Sequence, residues 1–226
     1  MNQNEAKLAA ARAAVDLLPA LGTLGLGSGS TAKLFVDEVG ARVKAGAAYR
    51  GVPTSQGTRL QAEALGIPLL GDAEMWDILL CVDGADEVDA QLNLIKGGGG
   101  ALTREKIVND ASKKNVIIVD ESKLSARLGE KWHVPVAVLL FGPEHAKKRL
   151  GELGKVSRRM KGDAPFVTDA GNAIYDVAVG PMDDPRVVDR AMRAIPGIVE
   201  TGLFLGRADV VVVAAASGVR LLERKG

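Results

Sequence analysis

The sequence predicts an α/β protein built on a doubly wound, mostly parallel sheet. Two observations carry this prediction. Several continuous apolar segments have the length of buried strands, and segments with helical spacing lie between them. Strands buried on both faces read as unbroken apolar runs, and crossover helices connect parallel strands. We therefore expect a Rossmann-like architecture. The strand candidates are residues 23–26, 49–52, 78–82, 116–119 and 209–215.

Helix candidates separate these strands. Residues 5–18 are rich in alanine with helical spacing, and Pro19 and Gly22 are typical of the end of a helix. Residues 31–43 place their large apolar side chains roughly on one helical face. Further helices are predicted at residues 55–65 and 102–113.

The segment from about residue 132 to residue 206 has a different pattern. Its strand candidates are residues 134–141, 155–160, 173–179 and 198–204, with a helix at 144–153 after the first of them. A second helix begins at Asp184-Pro185, because Asp is a favoured N-cap and Pro is favoured at the first helical position. The element order βαββαβ is that of a ferredoxin-like unit.

The domain organisation follows from the two patterns. The chain returns to an apolar strand at residues 209–215, so the βαββαβ segment is predicted to be an insertion before the last strand of the first pattern. We expect residues 1–130 plus 207–226 to form a Rossmann-like catalytic domain. Residues 131–206 should form a smaller ferredoxin-like α+β domain.

Composition narrows the class of function. The 226 residues are 47% apolar and 25% charged, as in an ordinary soluble globular protein. A net charge of +1 gives no electrostatic case for binding nucleic acid or a membrane surface. The single cysteine, Cys81, lies in an apolar run and is best read as a buried side chain in a reducing compartment. The first residues lack the pattern of a signal peptide, so we expect a cytoplasmic protein.

A first glycine loop, residues 25–31, predicts a phosphate site. Small residues between a strand and a helix let backbone N–H groups approach an anion, and three hydroxyl groups add donors. The loop fits neither a dinucleotide fingerprint, since no acid follows about 20 residues later, nor a Walker A motif, since the lysine is missing. A monophosphate fits better than a nucleotide. A plain turn with Ser30 as N-cap stays open as an alternative.

The segment from residue 83 to residue 106 predicts an active site for a small polar ligand. It places an acid cluster after an apolar strand, followed by a lysine on a loop of four glycines and by a glutamate in a first helical turn. The carboxylates of the acid cluster are suited to bind the hydroxyl groups of a sugar. A metal site and a solvated acidic turn remain as alternatives. The position of the glutamate in a first helical turn is also explained by the helix dipole alone, because the dipole favours acidic residues there. The residues concerned are Asp83, Asp86, Glu87, Asp89, Lys96 and Glu105.

Several motifs, taken together and in order, resemble the A-type ribose-5-phosphate isomerases. The motifs lie at residues 27–31, 83–87, 96–99, 101–106, 120–123 and 195–204. Two departures are mild: Ser28 stands where the family often has Thr, and Gly100 where it often has Ala. The resemblance covers the chain from near residue 5 to its end. It implies interconversion of D-ribose 5-phosphate and D-ribulose 5-phosphate in the non-oxidative pentose phosphate pathway. It also implies a cis-enediolate intermediate, no metal or organic cofactor, and a homodimer, with a tetramer as the other option.

The resemblance also implies residue roles. Glu105 would be the base, Lys96 would stabilise the enediolate, and Asp83 and Asp86 would bind hydroxyls and assist ring opening. The remaining substrate-binding positions would be Ser28, Gly29, Ser30, Thr31, Gly84, Ala85, Gly97, Gly98, Gly99 and Lys123.

Two rival functions are weaker. A sugar-phosphate-sensing regulator would need a DNA-binding helix-turn-helix and a basic patch. A coenzyme A transferase would use a glutamate nucleophile but needs room and cations for a nucleotide.

Overall fold

The computed structural model describes residues 3–224, and the chain divides into two compact units. The first unit contains the chain up to Ala85, the segment Arg104–Ser122 and the chain from Arg207 onward. The second contains Asp86–Thr103 and Lys123–Gly206. Residues 86–103 and 123–130 are thus compact with the second unit. The predicted domain boundaries stay a prediction, because compactness does not establish which segments fold independently.

The helices and strands of the described residues are as follows. The helices are α1 (Gln3–Val15), α2 (Ser30–Lys44), α3 (Gln56–Ala64), α4 (Leu102–Asp110), α5 (Pro143–Leu150) and α6 (Pro185–Arg193). The strands are β1 (Gly22–Leu26), β2 (Tyr49–Pro53), β3 (Ile78–Asp83), β4 (Glu87–Val88), β5 (Leu94–Ile95), β6 (Asn115–Asp120), β7 (Val134–Val138), β8 (Lys155–Arg158), β9 (Met160–Lys161), β10 (Ala164–Pro165), β11 (Ala173–Ala178), β12 (Ile198–Thr201), β13 (Leu203–Phe204), β14 (Val210–Ala215) and β15 (Gly218–Glu223).

The first unit is built on a six-stranded sheet with the order β15-β14-β6-β3-β1-β2. Its strands are parallel except for β15, which is antiparallel to β14 at the edge. Every residue of β6 and β14 is buried, as expected for strands covered on both faces. Cys81 is buried on β3. The predicted doubly wound, mostly parallel sheet is confirmed.

The sequence did not predict β15. Its residues Gly218–Glu223 are mostly exposed, and two of them are charged. A strand at the edge of a sheet has little apolar surface to bury, so it carries no continuous apolar signal.

The second unit contains a four-stranded antiparallel sheet with the order β12-β7-β11-β8. With α5 and α6 this gives the predicted βαββαβ order. The start of α6 is confirmed in detail: the Asp184 carboxylate accepts a hydrogen bond from the N–H of Arg186 at 3.0 Å, and Pro185 is the first helical residue.

The last predicted strand, residues 198–204, is divided between two sheets. Its first part is β12, whereas β13 joins β5 and β4 in a small three-stranded antiparallel sheet. Gly202 lies between the two parts: its carbonyl accepts from the N–H of Lys96 at 2.9 Å, and its own N–H donates to the carbonyl of Pro135. The bond to Gly202 therefore fixes Lys96, after which the loop of four glycines at residues 97–100, the second glycine loop, begins.

No helix within residues 3–224 is long and apolar enough to cross a membrane.

Candidate active site

The first glycine loop connects β1 to α2. Gly29 is the N-cap of α2, with φ at 93°, and Ser30 is the first helical residue, so the alternative that Ser30 is the cap is wrong. Gly29 and Ser30 are exposed, and Thr31 is half-buried. The first N–H groups of a helix have no partner inside the helix, so this end of α2 presents donors suited to an anion.

Two threonine side chains contact the first glycine loop: Thr54, which follows β2, and Thr58, in the first turn of α3. The Ser28 hydroxyl lies 2.7 Å from Thr54 Oγ1 and 3.2 Å from Thr58 Oγ1. Thr58 also donates to the carbonyl of Gly27 at 2.9 Å, and Ser55 caps α3 through the N–H of Thr58. Thr54 and Thr58 are buried. Neither residue was predicted as part of the site, because a single threonine after a strand or in a first helical turn carries no signal of its own.

Asp83 joins the first glycine loop to the end of β3. Its Oδ1 atom accepts from the N–H of Ser28 at 2.9 Å and from the N–H of Gly84 at 2.7 Å. A Cβ atom on Gly27 would lie 2.4 Å from the same Oδ1 atom, so only glycine allows this close approach. The buried Asp83 carboxylate is thus oriented by backbone donors, and the N–H of Ser28 is already committed to it.

Glu105 lies in the first turn of α4 and is only 4% exposed. The next residue, Lys106, is also buried, whereas Lys113 is exposed and pairs with Asp77 at 2.6 Å. The alternative that Lys106 and Lys113 are part of a solvated helix face is therefore wrong for Lys106. A carboxylate at the N-terminus of a helix is stabilised as the anion by the helix dipole, which suits a base.

In the second unit, the second glycine loop (Gly97–Gly100) begins at Lys96. Lys96 is 3% exposed, and its ammonium group lies 5.4 Å from the centre of the Phe204 ring on β13. The neighbouring Asp86 accepts from the N–H of Gly98 at 2.7 Å through Oδ2. A Cβ atom on Gly98 would lie 2.6 Å from Asp86 Oδ1. The loop backbone thus lies directly against this carboxylate.

Glu87 and Asp89 have structural partners, unlike a pair of metal ligands. The buried Glu87 carboxylate accepts from Ser125 Oγ at 2.6 Å and from three backbone N–H groups between residues 129 and 132. Asp89 accepts from the backbone and side chain of Asn93 and from the N–H of Gln91. Within residues 3–224, no group of three or more His, Cys, Asp or Glu side chains is arranged to hold a metal ion.

Lys123 lies at the end of a short 3-10 helix, Glu121–Lys123, that follows β6. Its side chain is half-buried, and its ammonium group lies 5.1 Å from the centre of the Trp132 ring. The buried Glu87 accepts a hydrogen bond from the N–H of that same Trp132 at 3.3 Å. One acid of the cluster therefore holds the loop against which Lys123 packs.

These features define a class of protein. A glycine loop that leaves the carboxyl end of a parallel strand, offers the donors of a helix N-terminus and lies beside a carboxylate oriented by backbone N–H groups is typical of enzymes for small phosphorylated ligands. The family model for ribose 5-phosphate isomerase A (phosphoriboisomerase A) matches residues 50–218, and the chain belongs to this family. The chain is accordingly an isomerase, as its motifs predicted.

Similar proteins extend over nearly the whole chain. The ribose-5-phosphate isomerase A of Methylorubrum extorquens is 46% identical over 96% of this chain and 95% of its own length. A solved ribose 5-phosphate isomerase A from Methanocaldococcus jannaschii has a TM-score of 0.92 at 38% identity, covering 98% of this chain and all of its own. A D-ribose-5-phosphate isomerase in complex with phospho-erythronic acid has a TM-score of 0.94 at 39% identity, covering 99% of this chain and 100% of its own.

Proposed function

We propose that this chain interconverts D-ribose 5-phosphate and D-ribulose 5-phosphate through a cis-enediolate, as a step of the non-oxidative pentose phosphate pathway. Family membership supports the substrate pair. The observation that carries the chemistry is the buried Glu105 in the first turn of α4, because a proton-transfer base must be shielded from water yet kept ionised. The related complex with phospho-erythronic acid, a phosphorylated four-carbon acid, supports a sugar phosphate ligand here.

Glu105 is the proposed proton carrier. In the aldose-to-ketose direction its carboxylate removes the proton from C2, and the electron pair forms the C1–C2 double bond of the enediolate while negative charge moves to the C1 oxygen. The same carboxyl group then returns the proton to C1. The proton of the C2 hydroxyl passes to the C1 oxygen, which leaves a ketone at C2 and a hydroxyl at C1. A single carboxylate is sufficient, so the reaction needs neither a metal nor an organic cofactor.

Lys96, Asp83 and Asp86 have supporting roles in this proposal. A buried ammonium group stabilises the charge that develops on the enediolate oxygen, and the Phe204 ring and the backbone bond to Gly202 restrict where Lys96 can lie. The carboxylates of Asp83 and Asp86 bind sugar hydroxyls and assist opening of the furanose ring. Hydrogen bonds from backbone N–H groups orient both carboxylates before the substrate binds.

The phosphate group is proposed to bind at the start of α2. The donors are the N–H groups of Gly29, Ser30 and Thr31 and the hydroxyls of Ser30 and Thr31, while Ser28 contributes through its hydroxyl because its N–H is bonded to Asp83. Lys123 adds positive charge. Backbone groups of five further residues line the sugar chain in this proposal: Gly84, Ala85, Gly97, Gly98 and Gly99.

The cellular location and the oligomeric state of the enzyme are also part of the proposal. The buried Cys81 suits a reducing, cytoplasmic environment. A homodimer, with a tetramer as the other option, is supported by apolar residues of the second unit that are exposed after β7, among them Phe141 at 94%.

The deciding experiment follows ribose 5-phosphate by proton NMR in D2O with metal-free protein, comparing the wild type with Glu105→Gln. We expect ribulose 5-phosphate with deuterium at the transferred position for the wild type. The variant should lose at least about 10²-fold in turnover, in line with the typical contribution of a general base. Near-normal turnover of Glu105→Gln would exclude Glu105 as the base, and activity only after addition of a divalent metal would return the acid cluster to consideration as a metal site.

A further inference from the structure

The second unit holds a partly buried ion pair that the proposed mechanism does not use. Arg159 follows β8, and Asp176 lies on β11. Arg159 Nε donates to Asp176 Oδ2 at 3.0 Å, and Nη2 donates to Asp176 Oδ1. The two side chains are only 16% and 20% exposed. Both carboxylate oxygens are therefore used to hold the guanidinium plane in one orientation.

The remaining donor group of Arg159 points at the second glycine loop. Nη1 donates to the carbonyl of Gly97 at 2.6 Å and to the carbonyl of Gly98 at 3.0 Å. The N–H of Gly98 donates to Asp86 Oδ2 at 2.7 Å. The carbonyl of Gly97 and the N–H of Gly98 belong to one planar peptide group. This peptide thus lies between the guanidinium group on one side and the Asp86 carboxylate on the other.

This arrangement has two physical consequences. A cation on the carbonyl oxygen polarises the peptide and makes its N–H a stronger donor, so the bond to Asp86 is strengthened from a distance. A run of four glycines also has many backbone conformations, and the two bonds from Arg159 select the one in which the Gly98 N–H faces Asp86. The ion pair therefore acts on a carboxylate that it does not touch.

We propose that Arg159, held by Asp176, is a positioning residue for the isomerase reaction that orients the Asp86 carboxylate through the Gly97–Gly98 peptide. This inference rests on the proposed role of Asp86. Lysine cannot replace Arg159 fully, because one ammonium group cannot bond both oxygens of Asp176 and two loop carbonyls with a planar set of donors. The proposal accordingly predicts a graded series at position 159.

The variants are Arg159→Gln, Arg159→Lys and Asp176→Asn, with Arg158→Gln as the matched control from the adjacent position. Arg159→Gln is expected to lower kcat/KM for ribose 5-phosphate about 10- to 100-fold, the scale of losing a charge-assisted contact. Arg159→Lys and Asp176→Asn should lie between it and the wild type. Arg158→Gln should keep wild-type turnover, because Arg158 has no contact with the loop among the described hydrogen bonds.

A double-mutant cycle with Asp86→Asn distinguishes positioning from general destabilisation. If Arg159 acts through Asp86, the loss caused by Arg159→Gln should shrink to less than about 3-fold in the Asp86→Asn background. Equal losses in both backgrounds would overturn the inference, since a lower fraction of folded enzyme multiplies both rates alike. If Arg159→Gln does not fold, the same cycle is run with Arg159→Lys.

The proposed role of Asp86 and the proposed role of Arg159 are tested by different outcomes. Wild-type activity of Asp86→Asn would overturn the proposed role of Asp86 and the inference with it. A strong loss in Asp86→Asn with no loss in Arg159→Gln would leave the proposed function intact and overturn only the role of Arg159.

Discussion

The buried carboxylate of Glu87 allows a sharp prediction about stability. Each of its oxygens accepts two hydrogen bonds: Oε1 from Ser125 Oγ and the N–H of Lys131, and Oε2 from the N–H groups of Gly129 and Trp132. In Glu87→Gln, one oxygen becomes an NH2 group. The Ser125 hydroxyl can turn and accept from that group, but in either orientation at least one backbone N–H then faces a donor.

The cost can be worked from these contacts. Losing one hydrogen bond to a charged group costs about 1.5–3 kcal/mol, and the bonds that remain weaken because their acceptor is now neutral. We expect Glu87→Gln to lower the free energy of unfolding by about 3 kcal/mol. For a chain of this size that corresponds to a fall in Tm of about 6–12 °C. The fall is measured by thermal unfolding followed by circular dichroism, and KM should rise because the loop against which Lys123 packs is loosened.

Glu121→Gln is the matched control, since this exposed glutamate lies in the same region of the chain and should change Tm by less than about 1 °C. A Tm for Glu87→Gln within about 2 °C of the wild type, at unchanged KM, would refute the reasoning that this carboxylate holds the loop.

Two further predictions test the second glycine loop and the buried Tyr175 of the second unit. Gly98→Ala would place a Cβ atom 2.6 Å from Asp86 Oδ1, so we expect turnover to fall about 10-fold or more. The control Gly57→Ala on α3, whose Cβ would lie 3.8 Å from the nearest atom, Ser55 Oγ, should keep most of it. Steady-state kinetics with ribose 5-phosphate would decide this, and equal losses in the two variants would contradict it. Burial and a hydrogen bond to Glu144 raise the pKa of Tyr175 to about 12, whereas the pKa in the unfolded chain is about 10. The stability that the protonated Tyr175 contributes is therefore complete below pH 10 and is lost as the pH rises towards 12. Urea unfolding of the wild type and Tyr175→Phe at pH 8, 10 and 11 should show the wild type losing more stability over this range, and parallel declines would argue against it.

The sequence predicted those parts of the fold whose signal is local. Strands such as β6 and β14 are buried along their whole length and therefore appear as unbroken apolar runs. The start of α6 was predicted because Asp184 and Pro185 have favoured positions at a helix N-terminus. Strands β4 and β5 were not predicted, since two residues show no periodicity and each exists only through its partners in the three-stranded sheet. Strand β13 was predicted only as the end of one longer strand.

In the candidate site, too, the sequence does not predict contacts between residues that are distant along the chain. Asp86 and Glu87 are adjacent acids in one motif, yet one lies against the second glycine loop and the other is buried under residues 125–132. Nothing local distinguishes them, because the difference arises from segments that are distant along the chain. Arg159 was missed for the same reason: its partners Gly97 and Gly98 are more than 60 residues away.

The division of the chain has a consequence for any attempt to exchange its parts between relatives. Residues 86–103 lie with the second compact unit, while the segments on either side of them lie with the first. A chimera that transplants residues 131–206 as a single cassette would bring a foreign Arg159 and Gly202 to a native second glycine loop and Lys96. Both contacts are made to backbone groups, so such a hybrid can keep them only if the donor's backbone follows the same course. Recombination at Asp86, Thr103, Lys123 and Gly206 instead would carry the loop together with the residues that hold it, and hybrids built on those four junctions should be the ones that retain turnover.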